Sequence, residues 1–335
     1  MRRRVLHTIF FASAFLLGGG LFALLVWRTG PAAIWESLVT FGAIPFFGFV
    51  AISLLNFTLY SLRWQTIVND MVTPDKRVSL RTIFLHRMAG YAAGYLTPAS
   101  QVAGEPIRVA MLRSEGIPMK EATGAVVLDL AFEIAAFVLF VVSGIALAVA
   151  AGIGGGTVLV DGAIAFVGVL VVLLIVFFWM TANGAGFFSG FFRVTRLRNV
   201  KRFQPAYTWI VEMEKLMTKF FSGKPLLLTG VVLLSVVLIA FKVLETFFIA
   251  WFFGVHLGLR DAFLLATLPG VVLLLPIPAG LGVYEGSNAA TFALLGLPLN
   301  PVAFTMIIRL RDFIFIAIGV AHAVSRGEKL MGRKE

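Results

Sequence analysis

The residues of this chain that could do chemistry are charged side chains set in apolar sequence. Glu105, Asp129, Glu133, Lys242, Glu245, Glu285, Arg309, Arg311 and Asp312 all have mostly apolar neighbours. A charge at the centre of a bilayer costs at least about 2.5–3.5 kcal/mol, so such residues are expected to pair or to line a polar cavity. Asp129 and Glu133 are four apart and share a helix face. Lys242 and Glu245 are three apart and can pair; Arg309, Arg311 and Asp312 cannot all share one helix face, but Arg309 and Asp312 can. A guanidinium offers a phosphate two parallel hydrogen bonds. Arg108, Arg113, Arg309 and Arg311 are therefore the candidate contacts for an anionic group. Glu105, Asp129, Glu133 and Glu285 would balance those cations or couple to protons. Each of these residues also reads as a purely structural ion-pair member. Glu105 and Glu285 read in addition as acids at helix N-termini.

Other chemistries lack their residues. There is no Cys, which excludes disulfides and thiolate metal sites. His7, His86, His256 and His322 have no metal-ligand spacing. No dinucleotide fingerprint, P-loop or nucleophile elbow stands on a suitable strand. No metal, cofactor or catalytic residue is expected.

The elements that must position the charges are membrane helices. Of 335 residues, 59% are hydrophobic and 13% charged. A soluble protein carries about 25% charge, and no soluble fold of this size could cover so much apolar surface with so little. A spanning helix needs about 20 apolar residues. Thr8–Trp27, Ala43–Trp64, Lys120–Ala151, Thr157–Thr181, Leu226–Gly254 and Pro301–Ala323 meet that need. The first is too long for a signal-peptide core, which runs to about 15 residues, and is expected to stay as a helix. Pro31–Phe41 reads as a short interfacial helix, and Ile153–Gly156 as a turn.

Two apolar stretches are broken by Pro and Gly. Leu80–Leu112 is interrupted over Thr97–Pro106, with Pro98 and Gly104 as break residues. Asp261–Gly296 is interrupted over Pro276–Gly286, with Pro278, Gly280 and Gly282. Half-length helices meeting at such breaks read as re-entrant hairpins, whose exposed backbone must be buried in protein or line a wet cavity. Two full crossings at each stretch would leave the polarity of the other loops unchanged, so that alternative stays open. Of the 28 Lys and Arg residues, only Arg28 and Arg260 fall outside, and Lys242, Arg309 and Arg311 within spans, when both termini are cytoplasmic.

The net charge of +11 is concentrated in one loop, 193–224. After Pro205, apolar residues recur there at Trp209, Ile210, Met213, Leu216, Met217 and Phe220. That is helical spacing, and it predicts an amphipathic helix on the cytoplasmic leaflet, beside anionic lipid. Nucleic acid is not an expected partner, since no domain is left to bind it.

The two broken stretches match each other. Pro98–Glu105 and Pro278–Glu285 both read Pro-Ala, five residues, then Glu. The same offset places Asp129 opposite Arg309. Halves 1–151 and 157–325 of one membrane domain would then have inverted topology. Inverted repeats with broken helices in matching positions are the layout of many secondary transporters.

Gly104-Glu105-Pro106-Ile107-Arg108, Leu112-Arg113, Val126 to Glu133, Pro278 to Gly286 and Arg309 resemble the flippase-like membrane family. This is the family of the transmembrane half of lysylphosphatidylglycerol synthase. It includes stand-alone hopanoid-biosynthesis-associated members of about this size. The resemblance covers nearly the whole chain, and the Pro-x-Gly-x-Gly-x-x-Glu-Gly stretch is its most specific piece. Family members usually carry an acid-Arg pair followed by an acid. Asp129 and Glu133 match the acids, while Leu130 stands where Arg is common. That departure argues against the same anionic head group and suits a hopanoid-type or other lipid.

The resemblance implies a lipid flippase or lipid-transport component of the bacterial inner membrane, with head groups passing a polar cavity. No aminoacyl-transferase domain follows Lys334-Glu335, so an enzyme is not expected. The expected fold is all-α: a polytopic integral membrane protein of about six spans and two opposed re-entrant hairpins. An intramembrane head-group transferase, with the carboxylates as acid and base, is the second reading. A scaffold of a lipid-synthesis complex is the third. The oligomeric state stays open, a homodimer being one option.

Overall fold

The computed structural model of the chain describes residues 27, 30–97, 100–152, 158–270, 283–298 and 300–332. Among the described residues the protein is all-helical. Chain order gives α1 (Pro31–Phe41), α2 (Ala43–Met71), α3 (Leu80–Leu96), α4 (Ser100–Ser114), α5 (Met119–Ala150) and α6 (Val158–Ala182). Then follow α7 (Phe187–Val194), α8 (Gln204–Phe221), α9 (Pro225–Phe252), α10 (Leu259–Thr267), α11 (Val283–Leu295) and α12 (Pro301–Gly332). Four stretches are long and apolar enough to cross a membrane: Ala43–Met71, Met119–Ala150, Ile164–Ala182 and Pro225–Phe252. Their outer faces are bare hydrocarbon, as at Leu139 on α5, Val172 and Trp179 on α6 and Leu233 on α9. Helix α12 is also long, but Arg309, Arg311 and Asp312 sit in its middle.

The expected helix at 8–27 lies outside the described residues but for Trp27. So do the Ile153–Gly156 turn, Pro98, and residues 276–282 of the second break, with Pro278, Gly280 and Gly282, while residues 283–286 of that break already belong to α11. The first break is narrower than expected. Helix α4 already begins at Ser100, so Gly104, Glu105 and Pro106 stand inside it. Gly104 is therefore a packing residue and not a break. A Cβ there would run into the backbone carbonyl of Gly90 on α3. Helices α3 and α4 meet through this backbone contact, which a side chain at position 104 would block. Gly319 on α12 meets α3 the same way, against the Met88 carbonyl and Ala92.

The chain divides into two compact units. The first unit comprises Met1–Ser53, Arg87–Ile107 and Leu244–Gly327; the second comprises Leu54–His86, Arg108–Val243 and Glu328–Glu335. In the first, Phe41 at the end of α1 packs on Phe252 and Phe253, with ring centroids 6.1 and 5.1 Å away. Helix α12 starts where Asn300 Oδ1 accepts from the Val302 and Ala303 amides at 2.9 and 3.3 Å, with Pro301 following the cap. Phe292 of α11 and Phe304 of α12 meet across that turn at 5.3 Å.

The core of the second unit collects Trp64, Leu112, Leu128, Met213, Met217 and Phe220. The amphipathic helix is present as α8, with Glu212, Lys215 and Lys219 exposed. Its apolar face, expected against the leaflet, is instead packed into protein. A 3.6-residue period says that one face is covered but does not say by what. Glu214 on that face is buried. It accepts from the amides of Phe188 at 2.6 Å and Ser189 at 3.3 Å, at the start of α7. An acid at a helix N-terminus is favourable there.

Gly319→Ala and Gly104→Ala should each destabilise the protein by about 1–3 kcal/mol, since the added methyl meets backbone that cannot swing away. Gly168→Ala, on the exposed side of α6 with nothing near it, should be neutral or slightly stabilising. Thermal unfolding of the three variants in detergent checks this; equal midpoints for all three would contradict the packing.

Candidate functional site

Each unit holds one cluster of buried, paired charges. In the second unit the centre is Asp129, fully buried one-third of the way along α5. Its Oδ1 accepts from Arg63 Nε at 2.9 Å, and its Oδ2 from Arg108 Nη2. Arg63 also donates to the Asp129 carbonyl at 3.3 Å, to Ser235 Oγ at 3.3 Å and to Glu133 Oε2 at 3.3 Å. The Arg108 guanidinium lies 4.0 Å over the Trp64 ring, and Arg63 lies 5.3 Å over Tyr60. Two cations and two acids thus balance, each guanidinium covered on one face by an aromatic ring. Only Glu133 reaches outward, with 35% of its side chain exposed.

In the first unit two arginines of α12 organise the cluster. Arg309 donates through Nε and Nη2 to Glu285 Oε1 at 2.9 and 2.6 Å, and through Nη1 to Tyr95 OH. Arg311 holds Asp312 Oδ1 at 2.8 Å and Glu245 Oε2 at 3.3 Å, and donates to Ser53 Oγ at 3.1 Å. Ser53 donates in turn to Glu245 Oε1 at 2.8 Å. Tyr91 OH donates to Asp312 Oδ1 at 2.8 Å, and the Tyr91 and Tyr95 rings lie 5.8 Å apart, which joins the two arginine sites. Arg309 and Arg311 thus meet Glu285, Asp312 and Glu245. Glu285 is the outward member, 26% exposed. It stands in the first turn of α11, as its helix-N-terminal reading requires.

The structure therefore brings Arg108, Asp129 and Glu133 together in one cluster, and Glu285, Arg309 and Arg311 in the other. Glu105 is half-buried on α4, past its first turn. Arg113 is exposed at the end of α4, with its Nη1 3.9 Å from the Met119 sulfur. It belongs to neither cluster as described. Arg309 is held by Glu285, and Asp312 by Arg311. Lys242 is exposed, while Glu245 is held by Ser53 and Arg311.

Arg63 was not among the expected site residues. The span containing it was expected to end at Trp64, which made it a boundary cation, whereas α2 runs on to Met71. A signal existed: Ser53, Asn56, Tyr60 and Arg63 recur at helical spacing and form a polar stripe on α2. Among the described residues, no group of His, Asp and Glu is arranged to hold a metal ion.

Residues 11–319 match the family model described as the lysylphosphatidylglycerol synthase TM region. The chain belongs to the lysylphosphatidylglycerol synthase transmembrane family. No curated protein and no solved structure matches it. For this family member, the charged clusters inside apolar helices are the feature that ordinary membrane packing does not require. Hydrocarbon side chains would fill the same space at lower desolvation cost.

Asp129→Asn leaves Arg63 and Arg108 facing a neutral amide and should cost about 3–5 kcal/mol, as breaking a buried pair does. Arg113→Ala should stay within about 0.5 kcal/mol of the parent, as exposed substitutions do. Chemical unfolding of both variants in mixed micelles checks the contrast, and comparable losses would refute the central role of Asp129.

Proposed function

We propose that this member of the lysylphosphatidylglycerol synthase transmembrane family moves lipids between leaflets, with head groups exchanging into its two arginine–carboxylate clusters. The observation that carries the reading is the pairing of deeply buried arginines with one partly exposed acid in each cluster, Glu133 and Glu285. Those acids are the places where a head group meets the network first. The phosphate of a head group competes for a guanidinium while its amine takes over the released carboxylate. A zwitterionic or amine-bearing head group thus keeps the local charge balanced, whereas a bare anion would add an unmatched charge to a low-dielectric site. The acyl chains stay in lipid throughout.

On this reading the hairpin α3–α4 and the stretch from α10 to α11 are re-entrant elements. The halves 1–151 and 157–325 are inverted repeats, and both termini are cytoplasmic at the bacterial inner membrane. A hopanoid-type or lysylated lipid falls within the substrate range. The chain is a transporter rather than an enzyme.

The test is translocation of fluorescent lipids in proteoliposomes, read by dithionite bleaching. The parent chain should accelerate flipping of amine-bearing phospholipids. Glu133→Gln combined with Glu285→Gln should slow it by about tenfold, a barrier change of about 1.4 kcal/mol. Lys219→Gln, on the exposed face of α8, should leave the rate unchanged. Equal rates in the parent and the double variant would defeat the exchange mechanism.

A further inference from the structure

Within the second unit, α5, α6, α7 and α8 line an open cavity of about 890 Å³. That is at the upper end of the size range of small-molecule sites, about 300–1,000 Å³. Its walls are apolar: Val127, Met180, Phe188, Phe192, Trp209 and Ile210 are among the lining residues. Two polar side chains stand out. Thr123 Oγ1 is buried and has no hydrogen-bond partner among the described residues. Arg193 gives its Nη2 to the carbonyls of Ala185 and Gly186. Its Nη1 and Nε have no partner among the described residues.

The surroundings of the cavity are basic. Arg193, Arg196, Arg198, Lys201 and Arg202 are all exposed, and no acid lies between Arg193 and Phe203. The nearest acids along α8 are committed elsewhere, Glu212 to Lys120 and Glu214 to the amides that open α7. On α7 itself Phe191 and Val194 point outward, 61% and 85% exposed. Exposed apolar side chains beside a run of cations are the pattern of a helix seated in a membrane interface.

We propose that this cavity binds an anionic membrane phospholipid, with an acyl chain between α5, α6 and α8 and the phosphate at Arg193 and the basic run to Arg202. An acyl chain asks no hydrogen bond of these walls. A peptide would bring a donor and an acceptor with every residue, and the lining offers almost nothing to meet them. The cations select an anionic head group over a zwitterionic one, since each basic side chain at the surface adds to binding of acidic lipid. The Thr123 hydroxyl is the one wall group suited to an ester oxygen. The bound lipid is distinct from any lipid in transit, and the site does not depend on the transport reading. It also accounts for the location of the basic loop: the apolar face of α8 is used inside the protein, so lipid contact falls to α7 and the cavity behind it.

The experiment uses Trp209, which lines the cavity, as a reporter. The delipidated full chain in detergent micelles is titrated with phosphatidylglycerol brominated on its acyl chains. The Trp209 contribution is taken as the difference from Trp209→Phe. Brominated phosphatidylglycerol should quench that contribution, and brominated phosphatidylcholine should need about tenfold more lipid. Gly190→Phe places a ring in the cavity, where a Cβ already stands 3.1 Å from Met180 Cε, and should abolish the quenching. Replacing Arg196, Arg198, Lys201 and Arg202 by Gln should erase the preference for phosphatidylglycerol. Equal quenching by the two lipids, or quenching that persists in folded Gly190→Phe, overturns the proposal. Should Gly190→Phe not fold, the four-Gln chain decides: an unchanged preference overturns it. Because the readout is equilibrium binding, it fails or succeeds separately from translocation.

Discussion

A guanidinium inside hydrocarbon is tolerable only while a carboxylate stays beside it, and that requirement organises the helices of both units. In the second unit, Asp129 on α5 holds Arg63 from α2 and Arg108 from α4, and Ser235 on α9 takes a further donor. One carboxylate therefore sets the register of three helices and fixes a fourth. In the first unit, Arg311 on α12 ties Glu245 on α9 and Ser53 on α2, while Arg309 ties Glu285 on α11 and Tyr95 on α3. Sliding any of these helices by a turn would strand a charge at a cost of several kcal/mol. Apolar packing between lipid-facing helices discriminates registers far less, because lipid tails are as apolar as leucine.

The close approaches work with the ion pairs. Side chains as short as Asp129 reach across only when backbones lie near one another, and glycines at the contacts allow it. Gly104 against Gly90, and Gly319 against Met88, bring α4 and α12 onto α3 in the first unit. In the second unit, Gly124 on α5 makes room for Met71 and Met217. The connection after α2 is fixed by polar side chains instead: Asn69 bonds both the amide and the carbonyl of Val78, and Gln65 bonds the same carbonyl.

Sequence alone located most of this. The spans expected at Lys120–Ala151, Thr157–Thr181 and Leu226–Gly254 lie within two residues of α5, α6 and α9. A continuous apolar run bounded by turn residues leaves little freedom in its limits. Where polar residues continue a helix, the sequence reading stopped short. It ended α2 at Trp64, ahead of Gln65 and Asn69, whereas the helix runs on to Met71. It extended the first break to Pro106 because Gly and Pro are weak helix formers, yet α4 is helical from Ser100, with Gly104 packed on Gly90. The buried charges were recognised by their cost, but their partners were not. Partner choice depends on which helices meet, and spacing within one helix carries no information about Arg63 on α2 or Arg108 on α4 reaching Asp129 on α5. The amphipathic helix was placed correctly and its covering surface was not, for the same reason.

The charge balance also constrains how such clusters can operate. Pulling one member out of a buried pair leaves its partner uncompensated, so departure and replacement must be nearly simultaneous. The clusters contain the features this needs. Asp129 keeps each arginine partnered if Glu133 moves away, because it reaches both. Tyr95 stays bonded to Arg309 if Glu285 moves, and Tyr91 links that position to Asp312 and Arg311. In the second unit Glu133 is thus the acid whose departure strands neither arginine, because Asp129 holds both, whereas Glu285 is the carboxylate on Arg309 and another anion must replace it as it leaves. On the proposed exchange with a visiting head group, an incoming phosphate must reach Arg309 as Glu285 leaves, and in the second unit it can approach after Glu133 has moved.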